Sequence, residues 1–264
     1  MSREARLVFE AMGTRCELAG RGRAAGRLTA GREWIETVAR RLTRFDPDSE
    51  LMRLNPRAGR GWMPVSPALE AVLRAALQAW EASSGLVHAG VLECMVAIGY
   101  GRPLAEGQTP VLRRPAAPRP LPETLAVRPG AARLAAGTAL DVGGIAKGWM
   151  ADTLAELLGD DCVVNLGGDL FARGHWTVGF GGQTVVLEGL GAATSGSWRR
   201  RWGDGLHHVI DPRTAAPATG DLCQVSVIAP TASVAETLAK TALILGREAG
   251  EAWLRGRALG YALA

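Results

Sequence analysis

Apolar and polar positions alternate from Leu7 to Ala19, broken only at Met12-Gly13-Thr14, and this period of two predicts a strand leading into a turn over Gly20 to Gly26. From Arg27 to Arg44 the period lengthens. Leu28, Trp34, Ile35, Val38 and Leu42 mark one helical stripe, with arginines on the other side. Ser66-Pro67 sets a capping hydroxyl before a proline, whose missing N–H costs nothing in a first helical turn, so a second long helix is expected to run to Gly85. Ile145 to Leu158 reads as a helix stopped by Gly159, and Cys162 to Leu166 as a short buried strand. Trp176 to Phe180 and Gln183 to Leu187 read as a hairpin about Gly181-Gly182, Leu222 to Ala229 as a strand, and Val234 to Leu245 as a helix. Seven prolines between Arg102 and Gly130 argue against a regular element and predict an irregular surface excursion away from the chemistry. The pattern as a whole predicts one α+β domain over residues 1–264, with helices packed on antiparallel sheets.

With 264 residues and 47% hydrophobic content the chain can bury a full core. No apolar run approaches the ~18 residues a membrane span needs. The opening Met1-Ser-Arg-Glu-Ala-Arg has no apolar signal region, so a cytoplasmic protein beginning at Met1 is expected. Cys16, Cys94, Cys162 and Cys223 lie far apart among apolar neighbours and predict reduced, buried thiols. The net charge of +4 comes from scattered arginines with only short clusters such as Arg199-Arg200-Arg201, which argues against nucleic acid as a partner. Of 30 basic residues only Lys147 and Lys240 are lysines. In a chain that uses arginine almost everywhere, a lysine is either a chance survivor or sits where a compact ammonium must fit and a planar guanidinium cannot.

Lys147 lies in Asp141-Val-Gly-Gly-Ile-Ala-Lys-Gly148, which sets a carboxylate and two glycines at the mouth of a helix, where free amides and the helix dipole suit a phosphate. It is not a Walker A loop, since Lys147 precedes Gly148 rather than following a glycine, and Trp149 comes next with no Ser or Thr. Taken alone it is also readable as a turn with a surface lysine. Asn165-Leu-Gly-Gly-Asp169 and Thr194-Ser-Gly196 are two more glycine turns with polar partners, and either alone does no more than reverse the chain. His208-Val-Ile-Asp211-Pro212-Arg213 offers a base or phosphate donor, or simply a capped turn, with His207 expected to face outward. In Ser233-Val-Ala-Glu236-Thr-Leu-Ala-Lys240-Thr241, Ser233 and Glu236 fit a capping box and Glu236 with Lys240 fits an i,i+4 ion pair; the same residues also suit a metal or phosphate site.

In order and spacing these segments resemble the ApbE family of FAD:protein FMN transferases over nearly the whole chain. Met12-Gly13-Thr14 is similar to the family's MGT, Arg44 to Asn55 to its serine-rich helix exit, and Asp141 to Asp152 to its DLGGIAKGYAVD signature. Asn165 to Asp169, Thr194 to Gly196 and His208 to Thr214 are similar to its NLGGD, TSG and HxxDPRTG segments. The resemblance implies an α+β fold with FAD in a cleft and metal-assisted transfer of FMN to a threonine or serine of an acceptor protein, with AMP released. It implies FAD contacts from Met12, Gly85, His88, Asp141, Gly143, Gly144, Lys147, Gly167, Gly168, Thr194, Ser195, Gly196, His208, Ile210 and Lys240. His208, Lys147 and Asp141 would serve the transfer, and Gly144, Glu236 and Thr241 would hold magnesium. Three departures stand out. Gly85-Leu-Val-His88 lacks the carboxylate of the family's Gly-Ala-Phe-Asp, the metal helix has Glu236 and Lys240 for an aspartate and a threonine, and Ala215 replaces a glycine. Two further readings stay open, an FAD-binding module without transfer and an FAD hydrolase giving FMN and AMP.

Overall fold

Met12-Gly13 is where the first strand folds back on itself. β1 (Ala5–Ala11) and β2 (Thr14–Gly20) form a hairpin in which Ala11 pairs with Thr14. Met12 and Gly13 have φ of +54° and +65°, the backbone a two-residue hairpin turn requires. Glycine adopts it freely, whereas methionine does so against the steric cost of its Cβ.

The computed structural model describes residues 4–109 and 115–264. After the hairpin come α1 (Leu28–Leu42), α2 (Pro67–Ala82), α3 (Ala146–Leu158), β3 (Cys162–Leu166), β4 (Asp169–Phe180) and β5 (Gln183–Gly196). β6 (Gln224–Ala229), α4 (Ala232–Leu245), α5 (Arg247–Leu254) and β7 (Gly260–Leu263) close the chain. β1 to β7 form one antiparallel sheet in chain order, each strand paired with its predecessor. Helices are therefore inserted into a meander, α1 to α3 between β2 and β3, and α4 with α5 between β6 and β7. The predicted α2 start is present, with the Ser66 hydroxyl accepting from Leu69 N at 3.3 Å. The expected hairpin is also present, Phe180 pairing with Gln183 around Gly181-Gly182, though both its strands run well beyond the expected ends.

Strand alternation decides which residues enter the core. Leu18, Val164 and Leu166 join Ile35 of α1, Leu69 and Leu73 of α2 and Met150 and Leu154 of α3 in one buried cluster. Burying each such leucine contributes about 1.5–3 kcal/mol. Val163, one residue out of phase, turns to the opposite face with Leu170, Trp176 and Leu187. A second helix-covered cluster joins Val225 and Val227 of β6 to Leu238 and Leu243 of α4 and Leu254 of α5.

Two expectations need correction. The proline-rich stretch is not irregular throughout: Leu121–Thr124 is a helical turn, and Leu125–Arg128 pairs with Ala131–Leu134, which in turn pairs with Met63–Pro64. Leu121 and Leu125 are buried, and the regular elements form because the prolines stand at the helix start and in the turn after a strand, where no backbone N–H is needed; residues 110–114 lie outside the described residues. Cys223 is exposed, whereas Cys16, Cys94 and Cys162 are buried, and burial pushes the Cys16 and Cys162 thiols up to about 11. Among the described residues no helix is long and apolar enough to cross a membrane.

Candidate functional site

The glycine turns meet at one end of the sheet. A Cβ on Gly167, whose φ is +74°, would lie 2.6 Å from Thr14 Cγ2, so the β1–β2 turn packs against the β3–β4 turn as only glycine allows. Gly168 N donates to Asn165 Oδ1 at 2.9 Å, and Gly168 O accepts from Thr194 N at 3.0 Å. That bond ties Thr194-Ser195-Gly196, the end of β5, to the same corner. The hydroxyls of Thr194 and Ser226 share a hydrogen bond of 2.9 Å across β5 and β6.

α3 and α4 are joined by two carboxylates. Asp152 of α3 accepts from Ala232 N (2.7 Å), Ser233 N (2.9 Å) and Ser233 Oγ (2.6 Å), placing a negative charge on the N-terminus of α4. Glu236 of α4 returns the contact: Oε2 accepts from Gly148 N at 3.0 Å, and Oε1 lies 3.5 Å from Lys147 Nζ and 3.9 Å from Lys240 Nζ. The expected capping box is thus not formed. Thr231 caps α4 by accepting from Val234 N, while Ser233 and Glu236 are drawn off by partners on α3. The expected Glu236–Lys240 pair is present, but it is buried rather than a surface pair.

Both lysines of the chain lie in this cluster. Lys147 also pairs with the carboxylate of Asp169, and Lys240 donates to the carbonyl of Gly144. Burial, only partly offset by Glu236, pushes both ammonium groups below the usual lysine range. Burial raises the Glu236 carboxyl, but Lys147 and Lys240 outweigh it and hold the group below the usual carboxylate range. Asp141 Oδ2 takes Arg44 Nε at 2.6 Å, and its Oδ1 accepts from Gly143 N at 2.8 Å. The Arg44 guanidinium lies over the rings of both Phe45 and Tyr100, at 4.1 and 4.4 Å, the two rings themselves being in tilted contact at 5.7 Å. Gly143, Ile145, Ala146 and Gly148 have all committed their amides within the protein, so an anion here would be met mainly by side chains.

His208 joins the cluster from the segment before the strand Ile210–Asp211. Burial pushes its imidazole down to about 3, reinforced by the charges of Arg200, Lys240, His207 and Lys147. Its Nδ1 and the Nη2 of Arg44 are buried with no hydrogen-bond partner among the described residues. Ile210 is buried beside Tyr100, and Asp211 accepts from Arg213 N at 2.9 Å. Ala215 keeps φ at +57°, so the turn holds its left-handed shape with an alanine in place of glycine. His207, expected to face outward, is instead buried, its Nε2 2.9 Å from Ala218 O. Both nitrogens of His88 are occupied, Nδ1 accepting from Gly90 N and Nε2 against Arg119 O, so neither is left for a ligand. Gly85 lies in the turn that ends α2, its N donating to Trp80 O.

Burial also pushes His88 and His207 down. A histidine held neutral in the fold takes up its proton only on unfolding. Below the ordinary value of 6.5 the unfolded chain therefore binds more protons, and stability falls as pH falls. Urea unfolding is expected to show a loss of at most about 1.4 kcal/mol per pH unit per histidine on going from pH 6.5 toward 5, before most carboxylates titrate. His208→Asn should flatten part of that slope, and pH-independent stability over this window would contradict the assignment.

Three contributors were not singled out from sequence. Arg44 was one residue of a longer segment, Arg200 one of a short arginine cluster, and Asp169 the end of a glycine turn. Only the chain's path shows Arg44 on Asp141, Asp169 on Lys147, and Arg200 close enough to act on Arg44, Lys147, Lys240 and His208.

The sequence profile of the ApbE family matches residues 12–263. The FAD:protein FMN transferase of Treponema pallidum (strain Nichols) is 34% identical over 248 residues, covering 79% of this chain and 68% of that protein. The FAD:protein FMN transferase of Escherichia coli (strain K12) is 27% identical over 254 residues, covering 83% and 70%. Among solved structures, the apo flavinyl transferase ApbE of Pseudomonas stutzeri superimposes with a TM-score of 0.81 at 21% identity, covering 100% of this chain and 95% of that one. The ApbE protein of Thermotoga maritima gives 0.80 at 21% identity, covering 96% and 89%. These two show a shared fold. Matched from Met12 to Leu263, the chain belongs to the ApbE family.

Proposed function

We propose that the protein transfers the FMN half of FAD to a threonine or serine hydroxyl of an acceptor protein and releases AMP. The observation that carries this reading is the pair of buried, unpartnered polar atoms, Arg44 Nη2 and His208 Nδ1, in a cluster where Arg44, Lys147, Lys240 and Arg200 outnumber Asp141, Asp169 and Glu236 by one charge. Buried polar groups are rarely left unpaired, and a positive surplus suits a pyrophosphate.

In this reading the flavin lies by the Met12 turn and the pyrophosphate lies among Lys147, Lys240 and the turns at Gly143-Gly144, Gly167-Gly168 and Thr194-Ser195-Gly196. Asp141 fixes the Gly143-Gly144 turn through its bond to Gly143 N. The adenosine end lies toward Gly85 and Ile210; there the spent imidazole of His88 offers packing in place of a charge. The acceptor oxygen attacks the FMN phosphorus, the bond to the bridging oxygen breaks, and AMP leaves with that electron pair. His208, kept neutral, takes the hydroxyl proton. Such chemistry needs positioned charge more than a covalent intermediate.

Magnesium, the expected companion, does not fit the residues proposed to hold it. The ammonium of Lys240 is already on Gly144 O, both oxygens of Glu236 face N–H groups, and Thr241 Oγ1 donates to Thr237 O at 2.8 Å. No step above passes through a metal.

The test is to incubate the protein with FAD and an acceptor carrying an accessible threonine, following acceptor mass and free nucleotides. Transfer predicts an FMN-sized mass gain with AMP. Free FMN with AMP would indicate hydrolysis, and unchanged FAD a binding module. Lys147→Arg, which keeps the charge but forces a fork into the space between Asp169 and Glu236, is expected to weaken FAD binding about tenfold or more in a fluorescence titration. Wild-type affinity would place the lysine outside the contact.

A further inference from the structure

The misfit of a divalent ion has a positive counterpart in the position of one side chain. Lys240 stands one turn after Glu236 on α4, its side chain 19% exposed and its ammonium on the carbonyl of Gly144, 3.9 Å from Glu236 Oε1. A Cβ on Gly144 would lie 3.2 Å from Lys240 Cε, so the side chain fills the space directly over this glycine. Of the oxygens a magnesium ion would need there, Gly144 O and Glu236 Oε1 face ammonium groups, Glu236 Oε2 is held by Gly148 N, and Thr241 is fully buried in a back-bond to its own helix. Magnesium requires near-octahedral oxygens at about 2.0–2.1 Å, and it would also be repelled by an adjoining ammonium.

We infer that Lys240 is a tethered cation occupying the place of the divalent metal, and that this protein engages FAD without a metal ion. The inference rests on the proposed FAD site. The ammonium supplies the positive charge facing the pyrophosphate, Glu236 orients it from the preceding turn, and Lys147 flanks the same carboxylate. A lysine at this position cannot be lost to a chelator, whereas bound magnesium can.

The experiment measures FAD affinity by flavin fluorescence in EDTA and in millimolar magnesium, for wild type and Lys240→Thr, and separately titrates the ligand-free wild type with Mn2+ by EPR. The expected wild-type affinity is the same in both buffers within about twofold, with no micromolar Mn2+ site. Lys240→Thr, confirmed folded by circular dichroism, is expected to bind FAD about tenfold or more tighter with magnesium than with EDTA, since the substitution frees Gly144 O, removes the repelling ammonium and leaves Glu236 Oε1 facing Lys147 alone. Metal-dependent binding by wild type, a micromolar Mn2+ site in wild type, or EDTA-insensitive wild-type affinity in the folded variant would each overturn the inference. If wild type binds FAD in neither buffer, the FAD reading fails instead, and the Mn2+ titration decides by itself whether Lys240 has displaced a metal.

Discussion

His208→Ala is expected to slow FMN transfer by about 10²–10⁴-fold while leaving FAD affinity within about threefold. The ring is flanked by Arg200, Lys240 and Lys147, and burial with these cations holds it neutral in the ligand-free protein; the negative charge of a bound pyrophosphate offsets the cations and raises the ring's basicity, so that it can take the hydroxyl proton. A group that moves a proton only in the transition state contributes to rate and little to ground-state binding. Initial rates of acceptor modification, set beside FAD titrations of the same variant, separate the two. An equal loss in both would make His208 a binding residue, and an unchanged rate would remove it from the chemistry.

Glu236→Leu is expected to destabilise the fold by about 3–5 kcal/mol, measured by urea unfolding at pH 7. The carboxylate is buried between Lys147 and Lys240 and accepts from Gly148 N at 3.0 Å, so removing it leaves two ammonium groups short of a counter-charge and one amide without its acceptor. Glu236→Gln should cost less, because an amide oxygen can still accept from Gly148 N. A loss under about 1 kcal/mol for the leucine variant would mean that both lysines turn out to solvent.

The helices and most strands were legible because their signals are local. The stripe from Leu28 to Leu42, the Ser66-Pro67 start and the glycine after Leu158 each act within a turn or two of chain, and the observed ends fall close to the expected ones. The two lysines that the fold brings into the candidate site stood out for a compositional reason, in a chain that uses arginine almost everywhere. That same background hid Arg44 and Arg200. The capping box failed because Ser233 and Glu236 satisfy a local rule while Asp152, Lys147 and Gly148 on another helix compete for both side chains and win. Which of His207 and His208 faces inward could not be read from alternation, since the strand Leu206–His207 has only two residues and ends in a bend. The order of the seven strands was equally out of reach, because pairing β2 with β3 reaches across α1, α2, α3 and the small three-stranded sheet, none of which records it in local periodicity.

In the proposed function, the glycine turns at the sheet end and the buried charges of α3 and α4 together form an FAD site. Titration of the purified, folded protein with FAD, followed by flavin fluorescence, tests it most directly. Quenching that saturates at micromolar FAD and weakens in Lys147→Arg is the predicted result; a folded protein that leaves FAD fluorescence unchanged throughout that range would contradict it.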